Sequence, residues 1–321
     1  MKLRAGVVGA GYLGTFHCDK YSQIDGADLV AIADTDGEKR KIAHKRFGAD
    51  TYADYRELYG RVDAVSVVVP TLQHYEVAGF FLRHGIPVLL EKPISDTVTH
   101  ARRLVDIAEE NSTAFQIGHL ERFNSAIRTV RGMINRPVFI EVHRLSPFTP
   151  RGTDVDVVRD LMIHDLDIIL SLIPSDVVSI DAVGVPVLTD KIDIANARLK
   201  FKNGCAANIT ASRVSAERMR KIRLFQRDTY FSIDYGTSKV NIVKIPGGPT
   251  PELQIRQLEI SREDSLLEEI KSFVHAVTTK SVPVVTGKDG LLALETAFRI
   301  LAKIGKNLRS IGYEKGADNS R

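Results

Sequence analysis

Cysteine is scarce in this chain. Cys18 and Cys205 are the two among 321 residues, too few for a disulfide framework and without metal-ligand spacing. Both are expected to be reduced thiols in a cytosolic protein. Charge of one sign is also in short supply. There are 44 basic and 40 acidic residues, a net charge of +4, and no basic run, which argues against a nucleic-acid partner. Long apolar stretches are missing too, so no segment is expected to span a membrane. The opening run from Met1 to Gly9 is too short for a signal peptide and reads as a strand that begins at once. No internal repeat or low-complexity segment is visible. What remains is an ordinary globular composition, 44% hydrophobic and 26% charged, with length enough for roughly two domains.

The first third alternates two kinds of segment. Leu3 to Val8, Leu29 to Ala33, Ala64 to Val69 and Val88 to Leu90 are apolar throughout, as in parallel strands covered on both faces. Helical stretches lie between them, at Glu38 to Phe47 and at residues 74–84. That alternation predicts a doubly wound parallel α/β sheet. After about residue 120 the pattern changes. Val138 to Leu145, Val177 to Val187, Ile192 to Phe201 and Cys205 to Ser212 are strand-like. Ala195, Ala197, Leu199 and Phe201 alternate with Asn196, Arg198 and Lys200, giving one dry and one wet face. Asn203-Gly204 between two runs signals a hairpin. This half is expected to be α+β with a mostly antiparallel sheet, interrupted by a helix over Asp160–Ile173. Two amphipathic helices close the chain, one carrying Leu266, Ile270, Phe273 and Val277, the other Leu291, Leu294, Phe298 and Leu301. The tail from Tyr313 to Arg321 is polar and expected to be frayed.

Gly9-x-Gly11-x-x-Gly14 follows the first strand and opens a helix. Glycines at these positions allow a tight turn, backbone approach to a pyrophosphate and close helix packing, and Tyr12 and Leu13 of the same turn would border the ligand. Asp34, twenty residues beyond Gly14, ends the second strand, where a carboxylate can accept from ribose hydroxyls and repel a 2′-phosphate. NAD is therefore expected rather than NADP, although Lys39 and Arg40 stand near. Pro70, Thr71 and His74 follow the next strand. His74 would either touch the nicotinamide side or cap the following helix. Glu91-Lys92-Pro93 ends the strand after that. A lysine at such a strand end, beside a cofactor, suits proton transfer. Asp160 and His164 are four apart, sharing one helical face as a carboxylate–imidazole pair or as an ordinary surface pair. No third residue completes a metal set. Glu121-Arg122-Phe123-Asn124 lies at the change of pattern, where Arg122 and Asn124 could meet phosphate or sugar hydroxyls, or a domain-junction salt bridge could form.

Together these residues resemble the glucose-fructose oxidoreductase / inositol dehydrogenase / rhizopine catabolism (Gfo/Idh/MocA) family over nearly the whole chain. The resemblance rests on the Gly9–Gly14 turn, Pro70-Thr71-x-x-His74, Glu91-Lys92-Pro93, Asp160-x-x-x-His164 and Gly287-x-Asp289-Gly290. It implies a Rossmann domain over 1–120, with a closing helix near 288–308 packed back on it. It also implies a substrate-binding and oligomerisation domain over 121–287, with dimers or tetramers formed through the second sheet. The expected cofactor-binding residues are Gly9, Gly11, Tyr12, Leu13, Gly14, Asp34, Pro70, Thr71, His74, Glu91 and Lys92. Lys92, His164 and Asp160 would be catalytic, with Lys92 or His164 as base. Lys92, Arg122, Asn124, Asp160 and His164 would bind substrate. Gly118 to Asn124 and Leu161 to Asp167 resemble members that oxidise the C3 hydroxyl of a UDP-N-acetylglucosamine-type nucleotide sugar, although Ser125 stands where the family often has proline. The alternatives are an inositol or simple aldose dehydrogenase, and a non-catalytic dinucleotide-binding regulator. The complete set of Lys92, Asp160 and His164 weighs against the last.

Overall fold

The computed structural model describes residues 2–149, 155–245 and 252–313. The expected frayed tail, Tyr313 apart, lies outside the described residues. The chain divides into two compact units, Met1–Asn124 with Glu263–Leu292, and Ser125–Arg262 with Ala293–Arg321.

In the first unit the apolar runs become strands and the amphipathic stretches become helices. Along the chain these are β1 (Leu3–Val8), α1 (Tyr12–Tyr21), β2 (Ala27–Ala33), α2 (Gly37–Phe47) and β3 (Asp50–Tyr52). Then follow β4 (Ala64–Val67), α3 (His74–Arg83), β5 (Val88–Glu91), α4 (Val98–Glu110) and β6 (Phe115–Gly118). All pairings are parallel and the strand order is β3-β2-β1-β4-β5-β6. The order reverses between β1 and β4, which opens a ligand crevice at the carboxyl ends of these strands. Val7, Ile32, Val65 and Leu89 are fully buried, and each such side chain stabilises the unit by about 1.5–3 kcal/mol. Helix α2 starts where Asp36 accepts from the N–H groups of Glu38 and Lys39, and stops at Gly48, whose φ of 69° is left-handed.

The second unit holds α5 (Ser125–Arg131), β7 (Phe139–Leu145), α6 (Ile163–Leu172), β8 (Val177–Val185), β9 (Ile194–Phe201) and β10 (Ala206–Ser212). It continues with β11 (Met219–Gln226), β12 (Thr229–Asp234), β13 (Lys239–Lys244) and β14 (Gln254–Glu259). Its eight strands run in the order β14-β13-β12-β11-β7-β10-β9-β8. All pairs are antiparallel except β7 with β10. Ala195, Ala197, Leu199 and Phe201 point into the core. On the wet face Asn196 donates to Thr210 and Arg198 to Asn208, both at 2.8 Å across the β9–β10 pair. Gly204, at φ 89°, turns the hairpin. Before β9, buried Asp193 accepts from the N–H groups of Val187, Leu188 and Thr189 and from Arg213 Nε. Burial alone would raise its pKa. Thr189 N–H and hydroxyl, Arg213 and Val187 N–H outweigh that and hold the carboxyl far below the carboxylate range.

The closing helices differ from expectation. Helix α7 (Ser265–Thr279) was placed with the second domain, but its Ile270, Phe273 and Val274 complete the core of the first unit with Val7, Tyr21 and Ile32. Helix α8 (Gly287–Ser310), expected on the first domain, is divided. Gly287 and Gly290 approach Phe115 and Ile117 so closely that an added Cβ would lie 2.5 and 2.7 Å from them. Beyond Leu292 the helix's Ala297, Ile300 and Ile304 join the core of the second unit. Amphipathic spacing shows that a helix has a dry face, and not which sheet covers it. Among the described residues no helix is long and apolar enough to cross a membrane.

Candidate active site

The turn after β1 is built by its glycines. Gly9 has φ 101°, and a Cβ there would lie 2.4 Å from the Val68 carbonyl oxygen. A Cβ on Gly14 would fall 1.7 Å from the oxygen of Gly9. These two glycines serve packing within the fold. Gly11 differs, since nothing lies within 4 Å of its missing Cβ. It is also the N-cap of α1, and no side chain caps the helix there. Open space before a helix end with N–H groups and a positive dipole fits a pyrophosphate. Tyr12 and Leu13 are exposed at 62% and 45%, large apolar side chains at the mouth of this turn. Asp34 ties the site together. Its Oδ2 accepts from Ala10 N–H at 2.7 Å and its Oδ1 from Asp36 N–H at 2.8 Å.

Pro70 caps a short 3-10 turn over Thr71–Gln73 at the end of β4. His74 opens α3 and is 1% exposed. Its Nδ1 lies 2.9 Å from the Pro93 carbonyl and its Nε2 2.9 Å from that of Val69. Both ring nitrogens thus face backbone of the first unit, and burial pushes the imidazole pKa down. The ring links the end of β4 to the segment after β5, a placement that neither reading of His74 foresaw. Lys92 follows β5 and is half-buried, and the Lys92–Pro93 peptide is cis. Glu91 is 8% exposed, with Oε1 3.1 Å from His17 Nε2 and Oε2 accepting the Lys92 N–H at 3.2 Å. Burial alone would raise the Glu91 carboxyl. The His17 hydrogen bond and the neighbouring charge of Lys92 outweigh it and hold the carboxyl below its ordinary value. Because β2, β1, β4 and β5 are parallel neighbours, Asp34, the Gly9 turn, Thr71 and Lys92 all follow the same edge of one sheet.

Glu121, Arg122 and Phe123 form a buried 3-10 turn. Arg122 is 4% exposed and donates to Asp289 at 3.3 Å, while Asp289 also accepts from Thr286 N–H and hydroxyl. That ion pair lies within the first unit, whereas the sequence pattern suggested a salt bridge at a domain junction. Asn124 is the last residue of the first unit's opening segment, with its N–H on Glu121 O at 3.2 Å.

In the second unit Asp160 and His164 do not share a regular α-helix. Val158–Met162 is a π turn and α6 begins at Ile163, so the i,i+4 argument does not carry across the junction. Such turns often occur at functional sites because they redirect side chains. Asp156 starts this turn, accepting from Arg159 N–H at 2.9 Å. His164 is 9% exposed. Its neighbour Asp165, fully buried, takes both Nε (2.8 Å) and Nη2 (2.9 Å) of Arg144 on β7. Sequence reasoning passed over His17, Arg144 and Asp165, whose partners lie 74 and 21 positions away.

A doubly wound sheet with a glycine cradle before a helix and a carboxylate after β2 defines a dinucleotide-binding protein of the Rossmann class. Comparison with known proteins agrees. The family model "Oxidoreductase family, NAD-binding Rossmann fold" matches residues 3–119, and "GFO/IDH/MocA C-terminal domain" matches 125–231. A UDP-N-acetylglucosamine 3-dehydrogenase of Acidithiobacillus ferrooxidans is 34% identical over 302 residues, 93% of this chain and 96% of that one. Its solved structure superposes with a TM-score of 0.90, covering 95% of this chain and 99% of that one. A myo-inositol 2-dehydrogenase of Thermotoga maritima is 27% identical over 91% of this chain and 93% of its own. The structure of a Lactobacillus casei scyllo-inositol dehydrogenase, at 19% identity and TM-score 0.81, covers 96% of this chain and 98% of that one and shares the fold. The chain belongs to the Gfo/Idh/MocA family of oxidoreductases, and its cofactor is a nicotinamide dinucleotide.

Proposed function

We propose that this enzyme oxidises the C3 hydroxyl of a UDP-N-acetylglucosamine-type nucleotide sugar, with NAD as acceptor. The observation that carries this reading is the 34% identity, over nearly the full length of both chains, to a UDP-N-acetylglucosamine 3-dehydrogenase. The inositol dehydrogenase of similar span stands at 27%. Held by its pyrophosphate at the Gly9 turn, the dinucleotide would supply the hydride acceptor at its nicotinamide ring. The chain's own task is then the hydroxyl proton and the sugar's orientation. Lys92 or His164 takes the proton, and Asp160 orients His164. Location of the new carbonyl tests the reading. Product trapped with hydroxylamine and fragmented by mass spectrometry is expected to carry the oxime at C3, whereas an oxime at another carbon contradicts it.

Two observations favour NAD over NADP. The Asp34 carboxylate is held in place by two backbone N–H groups, so its charge stays where a 2′-phosphate would approach. The two nearby cations are engaged locally. Arg40 donates to the carbonyls of Asp34 (2.7 Å) and Thr35 (3.0 Å), and Lys39 lies 3.9 Å from Asp36. Calorimetry is expected to give NAD at least about tenfold tighter binding than NADP, a difference that Asp34→Ala reduces. Equal affinities in the wild type would show that Arg40 or Lys39 governs the choice.

A further inference from the structure

We infer that His17 is a positioning residue for Lys92, acting through Glu91 to tie the cofactor-binding helix to the strand that ends in the lysine. The inference rests on the role proposed for Lys92 above. His17 lies on α1, three residues past Gly14, and is 1% exposed. Its Nε2 lies 3.1 Å from Glu91 Oε1, and among the described residues its Nδ1 has no hydrogen-bond partner. The polar capacity of a fully buried ring is therefore directed at one carboxylate. Burying a polar ring is costly unless it is hydrogen-bonded, so the contact with Glu91 is the one that offsets this cost. The Glu91 carboxylate in turn receives the Lys92 N–H on its other oxygen.

The carboxylate is confined on a further side. Gly118, paired with Glu91 on β6, leaves little room for a side chain. An added Cβ would sit 3.1 Å from Glu91 Cδ and 3.2 Å from its Oε1 and Cα. Glu91 thus has His17 on one side, Gly118 on another and the Lys92 backbone next to it. The helix whose first turn faces the pyrophosphate is joined through Glu91, by two hydrogen bonds, to the residue proposed to move the proton. Lys92 then keeps its place relative to the cofactor's own support. A misplacement on the scale of an ångström in such a group can cost roughly a hundredfold in rate.

The test compares His17→Leu, which keeps bulk without a donor, with His17→Gln, which keeps an N–H for the carboxylate. His17→Leu is expected to lower kcat by about 10- to 100-fold while the Kd for NAD and KM for the sugar stay within about threefold. His17→Gln is expected to recover most of the loss. In the Lys92→Ala background, His17→Leu is expected to cost nothing more, because the two act on one step. Gly118→Ala, which crowds the same carboxylate without altering a hydrogen-bonding group, is expected to reproduce the kcat loss and decides the matter if His17→Leu does not fold. Amide exchange at Lys92 supplies a readout independent of the sugar, faster in His17→Leu and near wild type in His17→Gln. Wild-type kcat and Lys92 exchange in His17→Leu, equal impairment by Leu and Gln, or additive losses with Lys92→Ala would overturn the inference and leave the proposed role of Lys92 standing. A Lys92→Ala enzyme with normal turnover would overturn both.

Discussion

Lys92→Ala is expected to lower kcat by roughly 10²–10⁴-fold, the range a general acid or base contributes, while NAD still binds. The lysine follows β5, on the sheet edge that also carries the Gly9 turn and Asp34. It is half-buried, and its backbone N–H is held by Glu91. The pyrophosphate cradle, by contrast, is made by Gly9, Gly11, Gly14 and the start of α1, none of which depends on the lysine side chain. Binding and turnover should therefore separate. Calorimetry with NAD checks the first and steady-state rates the second. A variant within a few-fold of wild-type kcat would remove Lys92 from the mechanism and leave His164 as the base.

The second large effect concerns stability. Asp165→Ala is expected to cost about 3–5 kcal/mol, the usual penalty for removing one partner of a buried ion pair. Arg144 and Asp165 are 4% and 0% exposed and meet through two parallel hydrogen bonds. Loss of the carboxylate takes two charge-assisted hydrogen bonds from a buried guanidinium between β7 and the first turn of α6. That turn also carries His164, so the pair fixes the place of a proposed catalytic residue as well as the packing of the second unit. Urea unfolding measures the cost. A value below about 1 kcal/mol, typical of exposed pairs, would show that the interaction is not desolvated as the structure has it.

Much of the architecture can be read from local pattern. Leu3–Val8, Ala64–Val67 and Val88–Leu90 are apolar on both faces, Arg4 and Ser66 apart, because helices cover both sides of a parallel sheet. Alternation along Ala195–Phe201 and the turn at Asn203-Gly204 identify an antiparallel hairpin in the same direct way. The features that escaped reading depend on partners distant in the chain. Nothing near Phe273 indicates that it belongs with Val7 and Tyr21, and nothing near Arg122 points to Asp289. The parallel pairing of β7 with β10 follows from the order of the whole sheet. The π turn at Val158–Met162 breaks a periodicity that looked regular, so helical spacing alone does not establish a pairing of Asp160 with His164. Within the candidate site, residues carried by motifs at strand ends were legible, because such positions recur with recognisable glycines and prolines. His17 was not, since a histidine on the buried side of a helix gives no sign that a glutamate 74 positions on lies against it.

The identity of the substrate is the property that most directly separates a nucleotide-sugar dehydrogenase from an inositol or aldose dehydrogenase. Recording reduced nicotinamide while UDP-N-acetylglucosamine, UDP-N-acetylglucosaminuronic acid, free N-acetylglucosamine and myo-inositol are titrated with excess NAD under one set of conditions tests it. Binding energy from the remote UDP group would help orient C3, so one of the UDP-sugars is expected to exceed free N-acetylglucosamine in kcat/KM by roughly a hundredfold or more. A higher kcat/KM for myo-inositol or for the free sugar would contradict the nucleotide-sugar reading.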